Sequence, residues 1–110
     1  MSSEARDDEI FKALANGTRR RMLDAIRDAP LTTGSLCDAF PTMDRCTVMQ
    51  HLKVLENAGL VLVTREGRER WNHLNALPIQ DIHDRWISRY AGHAMNVLGA
   101  LRTELEGADD

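Results

Sequence analysis

The period of the hydrophobic residues changes at Gly59, and this change constrains the fold more than any other feature. Before Gly59, apolar side chains recur every three or four residues, as on one face of an amphipathic helix. After it, Leu60–Thr64 is β-branched and apolar, Glu66–Arg68 is typical of a turn, and Arg70–Leu74 alternates apolar and polar residues. The sequence therefore predicts a set of helices followed by a β-hairpin with a charged tip.

Helix boundaries follow from the residues that start and stop helices. Ahead of the hairpin, the predicted helices are Asp8–Leu14, Arg19 to about Asp28, a short helix that ends at Phe40, and Arg45–Ala58. The expected N-caps are Thr18, either Thr32 or Thr33, and Asp44, and Gly59 is expected in the left-handed conformation that ends a helix. After Pro78, apolar residues again recur every three or four positions, which predicts a long helix to about Leu105.

The predicted order of elements, α-α-α-α-β-β-α, is mainly α with a small β-hairpin and matches the winged helix-turn-helix plan. In that plan, the second helix of a closely joined pair enters the major groove of DNA, where its first turns reach the base edges. The hairpin, or wing, extends the contact to phosphates or into the minor groove. The sequence therefore predicts that Arg45–Ala58 is a recognition helix and that the hairpin after it is the wing.

The length of 110 residues fits one compact domain. We expect a single domain 1–110, in which residues 1–7 and 106–110 are flexible tails and residues 78–105 form a dimerisation helix.

The sequence has no apolar run near the roughly 20 residues that span a bilayer. Residues 1–9 are polar and lack the apolar stretch of a signal peptide, so we expect the protein in the cytoplasm.

The net charge of −3 is unevenly distributed along the chain. Residues 1–9 and residues 102–110 each carry one arginine against four acidic residues, so each end contributes −3 and residues 10–101 carry +3. DNA binding requires a basic face and does not require a basic protein. The charge is therefore compatible with a nucleic-acid partner.

Three segments of the chain resemble the ArsR family of regulators. Phe11–Leu23 is similar to the opening helices of that family, Thr47–Val61 to its recognition helix and the entry to its wing, and Arg65–Arg68 to its wing tip. The most specific run is His-Leu-Lys-x-Leu-x-x-Ala-Gly-Leu at residues 51–60, and the resemblance covers roughly residues 9 to 105. It implies a homodimer built on the first and last helices, which usually represses by covering promoters at palindromic sites in double-stranded DNA.

The resemblance places the DNA contacts on the recognition helix, on the wing and at the start of the preceding helix. The predicted contact residues are Thr33, Arg45, Thr47, Gln50, His51, Lys53, Arg65, Arg68 and Arg70. Glutamine can pair with adenine and arginine with guanine, whereas lysine and the wing arginines suit phosphates. Some wing arginines are expected to turn back toward Glu66 and Glu69, and His51 has a second interpretation, in which it caps or packs locally.

The last predicted helix carries more apolar residues than one buried stripe needs. In so small a monomer, the excess would leave a larger apolar patch than soluble monomers usually expose. A two-fold partner would cover the patch and place two recognition helices roughly 34 Å apart, one turn of DNA. The predicted interface residues are Phe11, Ile82, Trp86, Tyr90, Val97 and Leu101.

Two metal-binding motifs of the family are incomplete in this chain. Where some members have a Cys-x-Cys pair, residues 35–38 contain only Cys37. Where others have Asp-x-His, ten residues and then His-x-x-Glu, this chain has Asp81 and His83, but His93 follows after nine residues and position 96 is Asn96. We therefore expect no metal site and no cofactor, and keep a His83/His93 site as the alternative. No metal or small-molecule effector is evident from the sequence.

A redox-responsive repressor that uses Cys37 and Cys46 is a further alternative, because the two thiols lie on adjacent predicted helices. Cys46 falls in the first turn of the recognition helix, where the helix dipole favours a thiolate. Packing as two small residues is the simpler interpretation of these cysteines.

Two other classes of function are less consistent with the sequence. An enzyme would need a nucleophile–base pair or paired carboxylates in a cleft, and neither is apparent, so we expect no enzyme. A winged helix used only for protein interaction would be expected to carry acidic or bulky apolar residues at the recognition positions. Arg45, Thr47 and Gln50 instead remain suited to DNA.

Overall fold

A computed structural model describes residues 2–108. Its elements, in chain order, are α1 (Ser3–Leu14), α2 (Gly17–Ala25), β1 (Leu31–Thr32), α3 (Thr33–Ala39), α4 (Arg45–Asn57), β2 (Val61–Glu66), β3 (Glu69–Leu74), α5 (Leu77–Ile82), a π-helical segment (His83–Ile87) and α6 (Ser88–Ala108). The prediction of a mainly helical chain with a β-hairpin between the fourth and last helices is confirmed. Contacts divide the chain into two compact units, one that ends at Pro78 and one from Ile79 onward.

Each of the first four helices begins at a side chain that accepts a hydrogen bond from its first turn. The four pairs are Ser2 with the N–H of Ala5, Asn16 with Arg19, Thr32 with Ser35, and Asp44 with Thr47. Such a cap satisfies one of the N–H groups that the helix itself leaves unpaired. The caps Asp44 and Thr32 agree with the sequence prediction.

Two predicted boundaries differ from the structure. The second helix begins at Gly17 and not at Arg19, because the Asn16 side chain caps it two residues before Thr18 can. It ends at Ala25 and not at Asp28. The predicted tails are partly helical, since α1 already begins at Ser3 and α6 continues to Ala108. Of these tails, residues 1, 109 and 110 lie outside the described part of the chain.

Two glycines set the path of the chain around the wing. Gly59 has φ +77° just after α4, and the N–H groups of Gly59 and Leu60 donate 2.9 Å bonds to the carbonyls of Glu56 and Leu55. This is the bonding pattern of a Schellman motif. Gly67 has φ +60° at the first of the two tip positions of the hairpin, where a type II′ turn requires a positive φ. The sequence prediction of the hairpin is confirmed.

The hairpin gains a third strand that the sequence prediction missed. β1 pairs antiparallel with β3, so the sheet order is β1-β3-β2, with Leu31 opposite Asn72. Asn72 is fully buried, and its side-chain N–H groups donate to the Leu31 carbonyl and to the Thr33 hydroxyl at 3.2 and 3.1 Å. These two bonds fasten the wing to the start of α3.

The core of the first unit is centred on α4, which packs against α2, α3 and β2. The inner face of α4 is formed by Val48, Leu52 and Leu55, which are almost completely buried. Their spacing of three and four residues places them on one side of the helix. The opposite side of α4 is consequently left free of the core.

The second unit is helical throughout its described residues and contains one π-helical segment. Its π-helical segment, His83–Ile87, lies between α5 and α6, and α6 then runs through Gly92 and Gly99 without a break. Trp86 and Tyr90 pack edge to face across the end of this segment, with ring centroids 5.2 Å apart. Within residues 2–108, no helix combines the length and the apolar character that crossing a membrane would need.

Candidate nucleic-acid interface

The first turn of α4 is held by Asp44. Its carboxylate accepts the Thr47 N–H at 2.7 Å, and this bond lowers the pKa of Asp44 below its ordinary value. An ionised carboxylate at this position also favours the helix, because the helix N-terminus carries a partial positive charge. The first turn of α4 is therefore stabilised by a cap that the chain itself supplies.

The outer face of α4, defined as the side opposite Val48, Leu52 and Leu55, carries the side chains at positions 46, 50, 53 and 57. Each residue advances by about 100° around a helix, which puts Gln50 near the middle of that face and Lys53 toward its edge, and both are exposed. Thr47 is half-buried at one flank of this face, whereas Arg45, which is exposed, lies nearer to the inner side of the helix. Three of the predicted contact residues, Thr47, Gln50 and Lys53, therefore lie on or beside the outer face.

His51 lies nearer the core than its neighbour Gln50. It is half-buried, and its Nδ1 atom lies 3.5 Å from the Nη1 atom of Arg19 on α2. Burial, and secondly the positive charge of Arg19, lowers the pKa of His51. The lowered pKa favours the neutral imidazole at pH 7. The contact with Arg19 agrees with the local packing that the sequence offered as one interpretation of His51, and its contact with DNA stays a prediction.

The side chains of Arg19 and Arg20 donate hydrogen bonds to backbone carbonyls of the protein. Arg19 donates to the carbonyls of Ala13 and Lys12 at 2.7 and 3.1 Å, and Arg20 donates to the carbonyl of Leu14. These carbonyls belong to the last turn of α1, where a helix lacks internal donors. The sequence showed only a cluster of charge, since these partners become visible only when α1 and α2 are folded together.

The wing separates its charges onto two faces. The strand register pairs Arg65 with Arg70 and Glu66 with Glu69. Alternate residues of a strand face opposite sides, so the two arginines share one face and the two glutamates the other. The sequence predicts that some wing arginines turn back toward Glu66 and Glu69. Arg70 does not do so. Its guanidinium donates instead to Glu56 of α4 at 2.6 Å, which joins the wing to the recognition helix.

A cleft of about 340 Å³ lies between the wing and the paired helices α3 and α4. Its lining residues are Thr32, Thr33, Gly34, Arg45, Met49, Arg65, Arg68, Glu69 and Arg70. We call this the wing cleft. Four of these residues are arginines and one is acidic, so the cleft suits an anion such as a phosphate of the DNA backbone. A second depression, lined by Gln50 and Lys53 among others, shares Met49 and Arg70 with it.

The predicted contact from the Thr33 side chain needs correction. Thr33 is only 3% exposed, and its hydroxyl accepts the bond from Asn72. The hydroxyl could still donate its own hydrogen, but at 3% exposure the side chain has almost no surface to offer DNA. Its role in the structure is to hold α3 against β3.

The residues considered for metal or redox sensing lie as follows. Asp81 bonds to Arg85 at 2.8 Å, and His83 lies 3.3 Å from Asp84. His93 lines an open cavity of about 370 Å³ on α6. Cys37 is half-buried and Cys46 is exposed. Among residues 2–108 of a single chain, no three His, Cys, Asp or Glu side chains lie together in a way that could hold a metal ion.

Five of the six predicted interface residues are exposed in the single chain. Phe11, Trp86, Tyr90, Val97 and Leu101 are between 39% and 59% exposed. Ile82 differs, because it is only 3% exposed. A side chain with so little exposed surface gains almost nothing from a partner, so the burial of Ile82 does not support its place in the predicted interface.

Comparison with known proteins supports the assignment that the geometry suggests. A family model described as a helix-turn-helix domain matches residues 14–64. The chain is 34% identical over 98 residues to the HTH-type transcriptional regulator Rv2034 of Mycobacterium tuberculosis, a match that covers 86% of this chain and 91% of that protein. It is 28% identical over 89 residues to the transcriptional repressor SdpR of Bacillus subtilis, covering 81% and 97% of the two chains.

A solved structure is similar over nearly the same length. The crystal structure of the ArsR family transcriptional regulator RHA00566 matches with a TM-score of 0.74 and 26% identity, over 86% of this chain and 95% of that chain. The match agrees with the capped recognition helix and the wing described above. The chain belongs to the ArsR family of winged helix-turn-helix transcriptional regulators, which bind DNA.

Proposed function

We propose that this protein is a homodimeric repressor that covers a palindromic operator. The observation that carries the proposal is the wing cleft beside the outer face of α4: three exposed arginines, Arg45, Arg65 and Arg68, lie next to a helix face that is free of the core. In this arrangement the arginines take phosphates, while Gln50 and its neighbours on α4 reach base edges in the major groove.

The proposed dimer is supported by the exposed apolar stripe of α6. Tyr90, Val97 and Leu101 fall within about 40° of one another around the helix, and all three are exposed in the single chain. Covering such a stripe with a second copy buries apolar surface, which is the main favourable term in association. Two-fold symmetry of the protein then corresponds to two-fold symmetry of the operator.

Repression, and not catalysis, is the whole activity that we propose. SdpR, one of the relatives, is named a transcriptional repressor, and a dimer on an operator can repress simply by occupying a promoter. Because its proposed partner is genomic DNA, we place the protein in the cytoplasm.

The test of this function is a selection from random-sequence duplexes, followed by sedimentation of the complex. We expect the recovered sequences to share an inverted repeat whose half-site centres lie about 10 bp, one helical turn, apart. We expect two chains on each duplex. Recovery of a single half-site bound by one chain would contradict the homodimer and the palindrome together.

The Arg68→Ala variant tests the role of the wing. Arg68 is exposed at the tip of the hairpin and lines the wing cleft, so we expect it to contact a phosphate. Its removal should weaken binding to the selected duplex and to random DNA by the same factor. The slope of log affinity against log salt should become shallower by about one unit, since one fewer counterion is released.

The matched control is Arg27→Ala, an exposed arginine that lies beside Asp28 at 3.4 Å and does not line the wing cleft. Its salt slope should equal that of the unmodified protein. An altered base preference in Arg68→Ala with an unchanged salt slope would show that Arg68 reads bases instead.

A further inference from the structure

Arg19 connects three helices through one guanidinium group. Its Nε and Nη2 atoms donate to the carbonyls of Ala13 and Lys12 at the end of α1, at 2.7 and 3.1 Å. Its Nη1 atom lies 3.5 Å from Nδ1 of His51 on α4. Because the guanidinium is planar and its other two nitrogens are held by α1, the direction of Nη1 is set by the backbone and not by the histidine.

The chemistry of arginine determines which ring nitrogen of His51 carries the proton. A guanidinium has only donors and keeps its charge at all ordinary pH values. A nitrogen that accepts a hydrogen bond from it must offer a lone pair, so the 3.5 Å contact favours an unprotonated Nδ1 on His51. A neutral imidazole has one N–H group, which is then on Nε2. Burial and the charge of Arg19 both lower the pKa of His51, in agreement with the neutral form.

We propose that Arg19 is a positioning residue that holds His51 in its Nε2–H form, so that the recognition helix offers DNA a hydrogen-bond donor at this position. A donor selects acceptors on base edges: N7 or O6 of guanine, N7 of adenine, or O4 of thymine. It rejects the amino groups of cytosine and adenine. The inference rests on the proposed function, because it requires that α4 enters the major groove.

The tautomer can be measured without DNA, by nitrogen NMR of the full chain with isotope-labelled histidine at neutral pH. We expect Nδ1 of His51 to give the shift of an unprotonated ring nitrogen and Nε2 that of a protonated one. Free histidine in the same buffer serves as the reference for a solvent-averaged imidazole. A protonated Nδ1 on His51 would overturn the proposal.

Two variants of Arg19 test whether this residue is the cause. Arg19→Met keeps the length of the side chain but removes every donor, so His51 should shift toward the averaged pattern of free histidine and its pKa should rise toward the ordinary value. Arg19→Lys retains a donor and a charge and should restore the Nε2–H form. An unchanged His51 spectrum in a folded Arg19→Met protein would overturn the positioning role. If Arg19→Met does not fold, the unmodified protein and Arg19→Lys decide the matter, and a protonated Nδ1 in either one overturns it.

The selected duplex tests what His51 reads. Acceptors are removed one at a time with 7-deazapurines for N7, 2-aminopurine for O6 of guanine and 5-methyl-2-pyrimidinone for O4 of thymine. We expect one of these changes to weaken the unmodified protein about tenfold and to leave His51→Ala unaffected, which is the signature of a direct pair. Sequence-specific binding in which no acceptor couples to His51 would overturn the reading role. Absence of sequence-specific binding altogether would instead refute the proposed function, while the tautomer result would stand.

Discussion

The Gln50→Ala/His51→Ala double variant is expected to bind its selected operator about as weakly as it binds random DNA. Gln50 is exposed near the middle of the outer face of α4, and His51 follows it. Each lost base contact costs about 1–3 kcal/mol, so the pair should reduce specific affinity by at least about 30-fold. Gel shifts at fixed salt, with operator and random duplexes, measure the effect.

The double variant should remain folded and dimeric. Gln50 contributes nothing to the core, and the half-buried His51 is not among the fully buried side chains that define it. A matched control is Gln80→Ala/His83→Ala, which removes the same two residue types from exposed positions in the second unit. The control should bind as the unmodified protein does. Unchanged affinity and base preference in the Gln50/His51 variant would remove the assignment of α4 as the recognition helix.

The features that the sequence predicted correctly are those with local causes. The start of α4 depends on Asp44 and the backbone three residues away, and its end depends on Gly59. The hairpin depends on Gly67 and on two short flanking runs. In each case the residue type and the conformation that needs it lie within a few positions of each other, so a single sequence contains the whole argument.

The features that the sequence did not predict depend on residues far apart in the chain. β1 has only two residues, and its pairing of Leu31 with Asn72 joins positions 41 apart. No periodicity can be detected in two residues. The same pairing explains why Thr33 is buried, since Asn72 lies where it can donate to the hydroxyl. A polar residue at an inward position of β3 was the available signal.

The partners of two arginines near the candidate interface, Arg70 and Arg19, also could not be predicted from the sequence. Arg70 is paired with Glu56, fourteen positions away on another element, whereas the sequence suggested the nearer glutamates Glu66 and Glu69. Arg19 resembles any member of a basic run until α1 and α2 are folded together. Neighbours in sequence are visible in a pattern, but the partners of long, charged side chains depend on tertiary packing.

The dimer is best tested by changing the surface of α6 and not by deleting the helix. Truncation after Leu77 would also remove Ile82, which is 3% exposed, so an unfolded product would not identify the interface. Val97 and Leu101 are exposed on the apolar stripe, one turn apart. Val97→Glu/Leu101→Glu places two charges where we propose that the partner packs, and a buried, unpaired charge is strongly unfavourable.

We expect the unmodified protein to sediment as a dimer, twice the 12.4 kDa of one chain, at low micromolar concentration, and the Val97/Leu101 variant to dissociate. Operator binding should then fall by about 10²–10⁴-fold, because two half-sites are no longer bound by one linked pair of recognition helices. Asn96→Glu/Thr103→Glu adds the same charge on the opposite side of α6 and should leave both the dimer and the affinity unchanged. A stable monomer of the unmodified chain at that concentration would contradict both the interface and the palindromic operator, because a single recognition helix has no two-fold axis to match.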